Sequence, residues 1–259
     1  MHNKIIKLCF KLKRLFLTLI LGVCVMTVSG YDRITGEPFA SRSEVIGQNG
    51  MVATSHPLAT QIGLDILKKG GTAIDAAIAA NIALGLMEPT GNGIGGDLFA
   101  IVWDAQSKQL YGLNASGPAP KNISIDYFKS KNLDKIPSYG PLPVTVPGAV
   151  DGWVKLHEKF GNQAFSSLFE PTIDYALNGF PVTETIAYYL ANSVSRFKDY
   201  PNFKEVWLKN GKTLPKSRFL KILSWLKHYK PLLIKGGQVF TKAKSRTLWL
   251  TSFSHKAGS

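Results

Sequence analysis

Few residues of this 259-residue sequence stand where spacing alone suggests chemistry. Gly91-Asn92-Gly93-Ile94-Gly95-Gly96 satisfies G-x-G-x-x-G, the turn whose amides cradle a pyrophosphate in dinucleotide-binding folds. That use needs a strand before the turn and a helix after it, so that phosphate meets a helix N-terminus. Here a helical pattern precedes and an apolar strand pattern follows. The glycines are therefore assigned to backbone work, reaching φ > 0 and passing close to another element. Thr54-Ser55-His56 sets a base beside two hydroxyls, the ingredients of an activated nucleophile. Adjacent residues rarely point at one another, so a capping or packing role is expected for His56. Asp97, Asp104 and Asp151 supply carboxylates, but their spacing fits turn and cap duties better than acid–base pairing. Beyond residue 30 the histidines are His56, His157, His228 and His255, no two at ligand spacing. Neither a metal nor a cofactor is expected.

The elements that would carry these residues follow from period and punctuation. Met51-Val52-Ala53 reads as a short strand, and Ser55 or Thr54 as the cap of a helix opening at Pro57. Leu58, Ile62, Ile66 and Leu67 form its apolar stripe, and Gly70-Gly71 ends it. Thr72 caps a second helix running to about Met87, with Asp75 in its first turn. Six alanines make that helix apolar almost all round, which marks it as central and close-packed. Leu98 to Trp103 is a continuous apolar run that reads as a buried strand. A turn at Asp104 to Lys108 leads to a returning strand, Gln109 to Leu113. Helices are expected over Ala149–Phe160, Phe165–Asn178 and Thr183–Arg196. A hairpin flanked by packed helices predicts an α/β layered sandwich.

The block from Gly50 to Trp103, GMVATSHPLATQIGLDILKKGGTAIDAAIAANIALGLMEPTGNGIGGDLFAIVW, resembles the N-terminal half of the γ-glutamyltransferase family, which includes glutathione hydrolases and cephalosporin acylase relatives. The resemblance runs from about Tyr31 to Lys212. It implies a partial αββα sandwich of the N-terminal-nucleophile hydrolase type, acting on a γ-glutamyl or other acyl amide. In that family a proenzyme cuts itself before a threonine. The freed hydroxyl attacks the acyl carbon, the new α-amine serves as base, and glycine amides hold the oxyanion. The threonine and the glycine pair belong to the C-terminal half. The expectation is therefore a large-subunit portion with no catalytic residue of its own, inactive without a catalytic small subunit. The loop Tyr111 to Pro120 matches one that in the family carries an arginine gripping the substrate α-carboxylate through two parallel hydrogen bonds. No arginine occurs between Arg42 and Arg196. Asn114 and Ser116 are the substrate-binding candidates left in that loop, and they supply no charge.

The net charge of +14 is carried by the ends. Residues 33–205 hold 14 basic and 16 acidic side chains, whereas 206–259 hold 12 basic and no acidic ones. A near-neutral globular part argues against nucleic acid as partner. Lys4, Lys7, Lys11, Lys13 and Arg14 precede the apolar run Leu15 to Val28, and small residues follow at Ser29-Gly30. That pattern predicts a signal peptide over 1–30 and an exported, periplasmic or extracellular protein, with an uncleaved anchor as the alternative. Cys9 and Cys24, the only cysteines, fall inside it, which leaves no disulfide or thiol chemistry afterwards. The expected organisation is the signal, a family domain over 31–213, and a basic tail over 214–259. The carboxylate-free tail suggests a shifted reading frame. Phe219, Ile222, Leu223, Leu226 and Tyr229 also share one helical face, so an alternative is a non-catalytic exported binding protein that lays this tail on a membrane surface.

Overall fold

The computed structural model describes residues 45–227 and Tyr229; the expected signal segment and most of the tail lie outside the described residues. Helix α1 spans Pro57–Lys68, and its cap is His56 rather than Ser55 or Thr54. The His56 ring Nδ1 accepts from the Leu58 amide at 3.3 Å, doing the work usually left to a hydroxyl or carboxylate. The helix closes on Gly70 at φ 84°, with the Gly71 amide donating to the Ile66 carbonyl and the Gly70 amide to Leu67, the paired bonds of a Schellman ending. Residues 51–53, expected to be a short strand, belong to no strand.

Helix α2, Ala73–Met87, starts in a capping box between Thr72 and Asp75. Nine of its side chains are buried, which fits its alanine-rich, nearly faceless pattern. It packs on α1 and, on other sides, against α4 (Ala149–Phe160), a 3₁₀ turn (Phe165–Leu168) and α5 (Glu170–Asn178). The helix expected over Phe165–Asn178 is thus split; Pro171, in the first turn of α5, cannot donate an amide to a continuous helix. A short helix, α3 (Ile125–Ser130), capped by Ser124, was not expected from the sequence. Thr183 caps α6, Glu184–Phe197, and α7 covers Phe203–Trp207.

Strands β1 (Leu98–Asp104) and β2 (Gln109–Ala115) form an antiparallel hairpin in the register Leu98↔Ala115 to Asp104↔Gln109. Helix α4 covers one face of it. Gly152 permits this approach, because a Cβ there would lie 2.8 Å from the Ala115 side chain and 3.0 Å from that of Leu98. The run 98–103 is therefore half-covered and not buried throughout. Leu98, Ala100 and Val102 face the helix, while Phe99, Ile101 and Trp103 face solvent. One helical layer on one sheet face is half of a four-layer sandwich.

Part of the chain between 215 and 229 packs into the same core. A two-residue strand, β4 (Phe219–Leu220), pairs with β3 (Phe180–Pro181), and Ile222, Trp225, Leu226 and Tyr229 are buried. The Tyr229 ring stacks on Trp225 at 3.5 Å, and its hydroxyl lies where a Cβ at Gly85 would meet it at 2.8 Å. The stripe expected to lie on a membrane is therefore mostly turned inward: Ile222, Leu226 and Tyr229 are core residues. Burial holds the Tyr229 phenol well above its ordinary pKa. No helix among the described residues is long and apolar enough to cross a membrane.

Candidate functional site

Three loops meet where β1 begins, β2 ends and α4 starts. Asp97 organises them. Its Oδ1 accepts from the Gly117 amide at 3.1 Å and from the Thr145 hydroxyl at 3.2 Å, tying the glycine turn to the loop after β2 and to the stretch before α4. The Gly96 carbonyl accepts from both the Gly148 and Ala149 amides at 3.0 Å, and the Val146 amide donates to the Pro118 carbonyl at 3.0 Å. Contact is so close that a Cβ at Gly117 would overlap the Val146 carbonyl, and one at Gly148 the Ala115 carbonyl. At Gly117 and Gly148 the neighbouring segments meet backbone to backbone.

What this brace presents is the segment Asn114–Ser116. The Asn114 side-chain oxygen accepts from the Ser116 amide at 2.9 Å, an Asx turn that fixes the local backbone. Both residues are exposed, and Asn114 lies on the outward face of the hairpin directly across from Phe99. The Ser116 hydroxyl and the Asn114 side-chain amide are neutral groups, suited to hydrogen-bonding an amide or hydroxyl on a ligand and unable to supply a guanidinium's charge.

The other sequence candidates are used elsewhere. The Ser55 hydroxyl donates to the Glu88 carboxylate, Thr54 pairs with Thr60 at 2.8 Å, and the His56 Nδ1 is engaged in the cap. No hydroxyl–imidazole pair forms there. Burial lowers the His56 pKa, with the nearby Glu88 charge opposing the shift. Its Nε2 is buried without a partner among the described residues. Asp104 closes the hairpin turn through the Gln106 and Ser107 amides and the Ser107 hydroxyl, and Asp151 pairs with Lys155 at 2.9 Å. None of the three aspartates pairs with another.

The glycine turn departs from its expected role. None of Gly91, Gly93, Gly95 and Gly96 has positive φ, and a Cβ added at Gly93, Gly95 or Gly96 would meet nothing within 4 Å. Ile94 and Gly95 form a turn, and the amides of Gly93, Ile94 and Gly95 make no hydrogen bond among the described residues. The turn is anchored instead at its two ends. Asn92 donates its side-chain amide to the Asn81 carbonyl at 3.1 Å, and Gly96 and Asp97 make the bonds described above.

Sequence reading missed Asp75 as a long-range residue. It is fully buried, and its Oδ2 accepts from the Thr72 amide and hydroxyl and from the Asn162 and Gln163 amides at 2.9 to 3.3 Å. His157 stands beside it at 3.7 Å and donates to the Gln163 carbonyl at 2.7 Å. Only the capping-box half of this arrangement has a sequence signal.

The layered α/β arrangement and the braced loop define a scaffold of the N-terminal-nucleophile hydrolase type. A family model described as Gamma-glutamyltranspeptidase matches residues 59–248, past the boundary expected at 213. The glutathione hydrolase proenzyme of Bacillus subtilis (strain 168) is 36% identical over 206 residues, which are 77% of this chain and 34% of that protein. Among solved structures, cephalosporin acylase from Bacillus halodurans superposes with a TM-score of 0.78 at 38% identity, covering 87% of this chain and 43% of that one. The Helicobacter pylori γ-glutamyltranspeptidase gives a TM-score of 0.77 at 28% identity over 83% of this chain and 63% of that one. This chain belongs to the γ-glutamyltranspeptidase family. It spans about a third of the length of the glutathione hydrolase relative.

Proposed function

We propose that these 259 residues form the N-terminal, large-subunit portion of an exported acyl-amide hydrolase or transferase of this family, and that by themselves they turn nothing over. The observation that carries this reading is the division of labour at the braced loop. Asp97, Gly96 and Gly148 build a rigid mount for Asn114 and Ser116, yet the described part of that mount holds no nucleophile with a base in reach. A mount without a reacting group is what a family member looks like before its threonine-bearing portion is added.

The acyl group is proposed to be one whose recognition needs no loop guanidinium. The neutral pair Asn114 and Ser116 suits a polar acyl moiety that offers this loop no charge. The basic, then apolar, N-terminal segment supports export. The test is a panel assay of the chain combined with a family catalytic portion, comparing a γ-glutamyl anilide with acyl amides that lack an α-carboxylate. Faster turnover of the second group is expected. A preference of more than tenfold for the γ-glutamyl anilide would refute the substrate assignment.

A further inference from the structure

The end of α7, the residues that follow it and β4 enclose a pocket of about 340 Å³, the size of a small-molecule site. Its walls are mainly apolar. Trp207, Leu208 and Leu214 are half-buried, Leu220 is buried, and Phe219 stays 67% exposed. Lys209 and Lys221 complete the lining, and both are exposed. Exposed lysines keep the ammonium group in water while the stem lies on apolar surface, so this pocket has apolar walls and a cationic mouth.

The backbone concentrates further charge there. Asn210 and Gly211 have φ 53° and 75°, the positive values that a two-residue hairpin turn asks of both central positions. Across this turn the Lys209 amide donates to the Lys212 carbonyl at 2.8 Å, and the Lys212 amide donates back at 3.2 Å. Residues opposed in such a pair share one face, so two ammonium groups stand side by side, which costs stability unless an anion offsets it. The Lys221 stem lies against Gly179, where a Cβ would meet its Cγ at 3.1 Å. Lys209, Lys212 and Lys221 make no ion pair among the described residues, whereas Lys68, Lys155, Lys204 and Lys216 each have a carboxylate partner. No Asp or Glu occurs from Val206 to Lys227.

We infer that this pocket binds a small amphipathic carboxylate of about the size of octanoate, its apolar body on Trp207, Leu214, Phe219 and Leu220 and its charge on Lys209 and Lys221. The occupant follows from charge complementarity. Three cations gathered at one pocket lack an internal counterion, and a neutral apolar ligand would leave them so. An inorganic anion would answer the charge but leave Phe219 in water. A carboxylate on a short chain satisfies both, through charge-assisted hydrogen bonds at one end and apolar burial at the other. The site uses none of Asn114, Ser116 or their brace, and it is independent of the proposed reaction.

The experiment titrates the full 259-residue chain with octanoate, with octan-1-ol and with acetate by isothermal calorimetry. Octanoate should saturate one site and bind about tenfold or more tighter than the alcohol, which lacks the charge, and than acetate, which lacks the chain. Lys209→Gln combined with Lys221→Gln should weaken octanoate about tenfold and leave octan-1-ol unchanged. That variant should melt within a few degrees of wild type, since both side chains are exposed. Phe219→Ser should weaken octanoate and octan-1-ol together. Lys227→Gln removes an exposed lysine of the same segment that does not line the pocket, and it should change neither. The proposal is overturned if octanoate does not saturate, or if the double variant binds it as wild type does. It is equally overturned if Lys227→Gln weakens octanoate as much as the double variant, which would reveal a general attraction to a basic segment. Binding to phosphatidylglycerol vesicles without binding of soluble octanoate would also overturn it, in favour of a membrane surface.

Discussion

Phe99 and Asn114 face one another across the hairpin on its uncovered side, so an exposed aromatic ring and the strongest polar candidate for substrate contact share one cross-strand pair. Beyond Asn114 the loop continues to Ser116, the other residue proposed above to meet the acyl group. Ser116→Arg should therefore shift selectivity once a catalytic portion is present. The ratio of kcat/KM for a γ-glutamyl anilide over an acyl anilide without the α-carboxylate should rise about tenfold or more, the scale of one charge-assisted pair. An unchanged ratio would show that the loop does not meet the acyl group.

Asp75 is expected to be among the most sensitive positions in the chain. One carboxylate oxygen serves three backbone amides and a hydroxyl, on segments far apart in sequence. Asp75→Ala would leave these buried donors without an acceptor and should cost about 3 kcal/mol or more. Urea denaturation monitored by circular dichroism reads this directly. A loss below about 1 kcal/mol would mean that the amides find water or other partners.

Two glycines should behave in opposite ways. Gly117→Ala drives a methyl into the Val146 carbonyl and must separate the braced loops, whereas Gly95→Ala places one in open space. The first should lower stability by about 2 kcal/mol or more and the second by only a few tenths. Comparable melting temperatures for the two variants would contradict the brace.

His56 gives a pH signature. Burial holds its folded-state pKa below the ordinary 6.5, so between that pKa and 6.5 the unfolded chain binds a proton that the folded chain refuses. Stability from this residue is fully present above about 6.5 and is lost as pH falls toward the folded-state value. His56→Asn keeps a side-chain oxygen for the Leu58 amide and removes the titration. Wild type should lose stability from pH 7 to pH 5 more steeply than this variant, read as urea midpoints across pH; parallel curves would contradict the assignment.

Local rules carried much of the fold. The Thr72 capping box, the Gly70-Gly71 ending, the Asp104–Lys108 turn and helix Ala149–Phe160 all follow from residues close in sequence, and the structure has them. The misses share a cause. That Asp75 anchors Asn162 and Gln163, or that Asp97 holds Gly117 and Thr145, depends on backbone groups brought close only by the finished fold. Backbone donors leave no mark in a residue string. The one-sided burial of β1 was illegible for a different reason: its sequence is apolar on both faces, and only one of them has its cover among the described residues. Asn114 and Ser116 came from resemblance and not from spacing, while the brace beneath them became visible only in three dimensions.

Whether these 259 residues are scaffold without a reacting group of their own can be read by incubating the purified chain with γ-glutamyl and acyl anilides and determining all N-termini by mass spectrometry. No anilide release above the uncatalysed rate and no new terminus beginning with threonine are expected. Steady turnover accompanied by a fragment that starts with one of this sequence's threonines would contradict that.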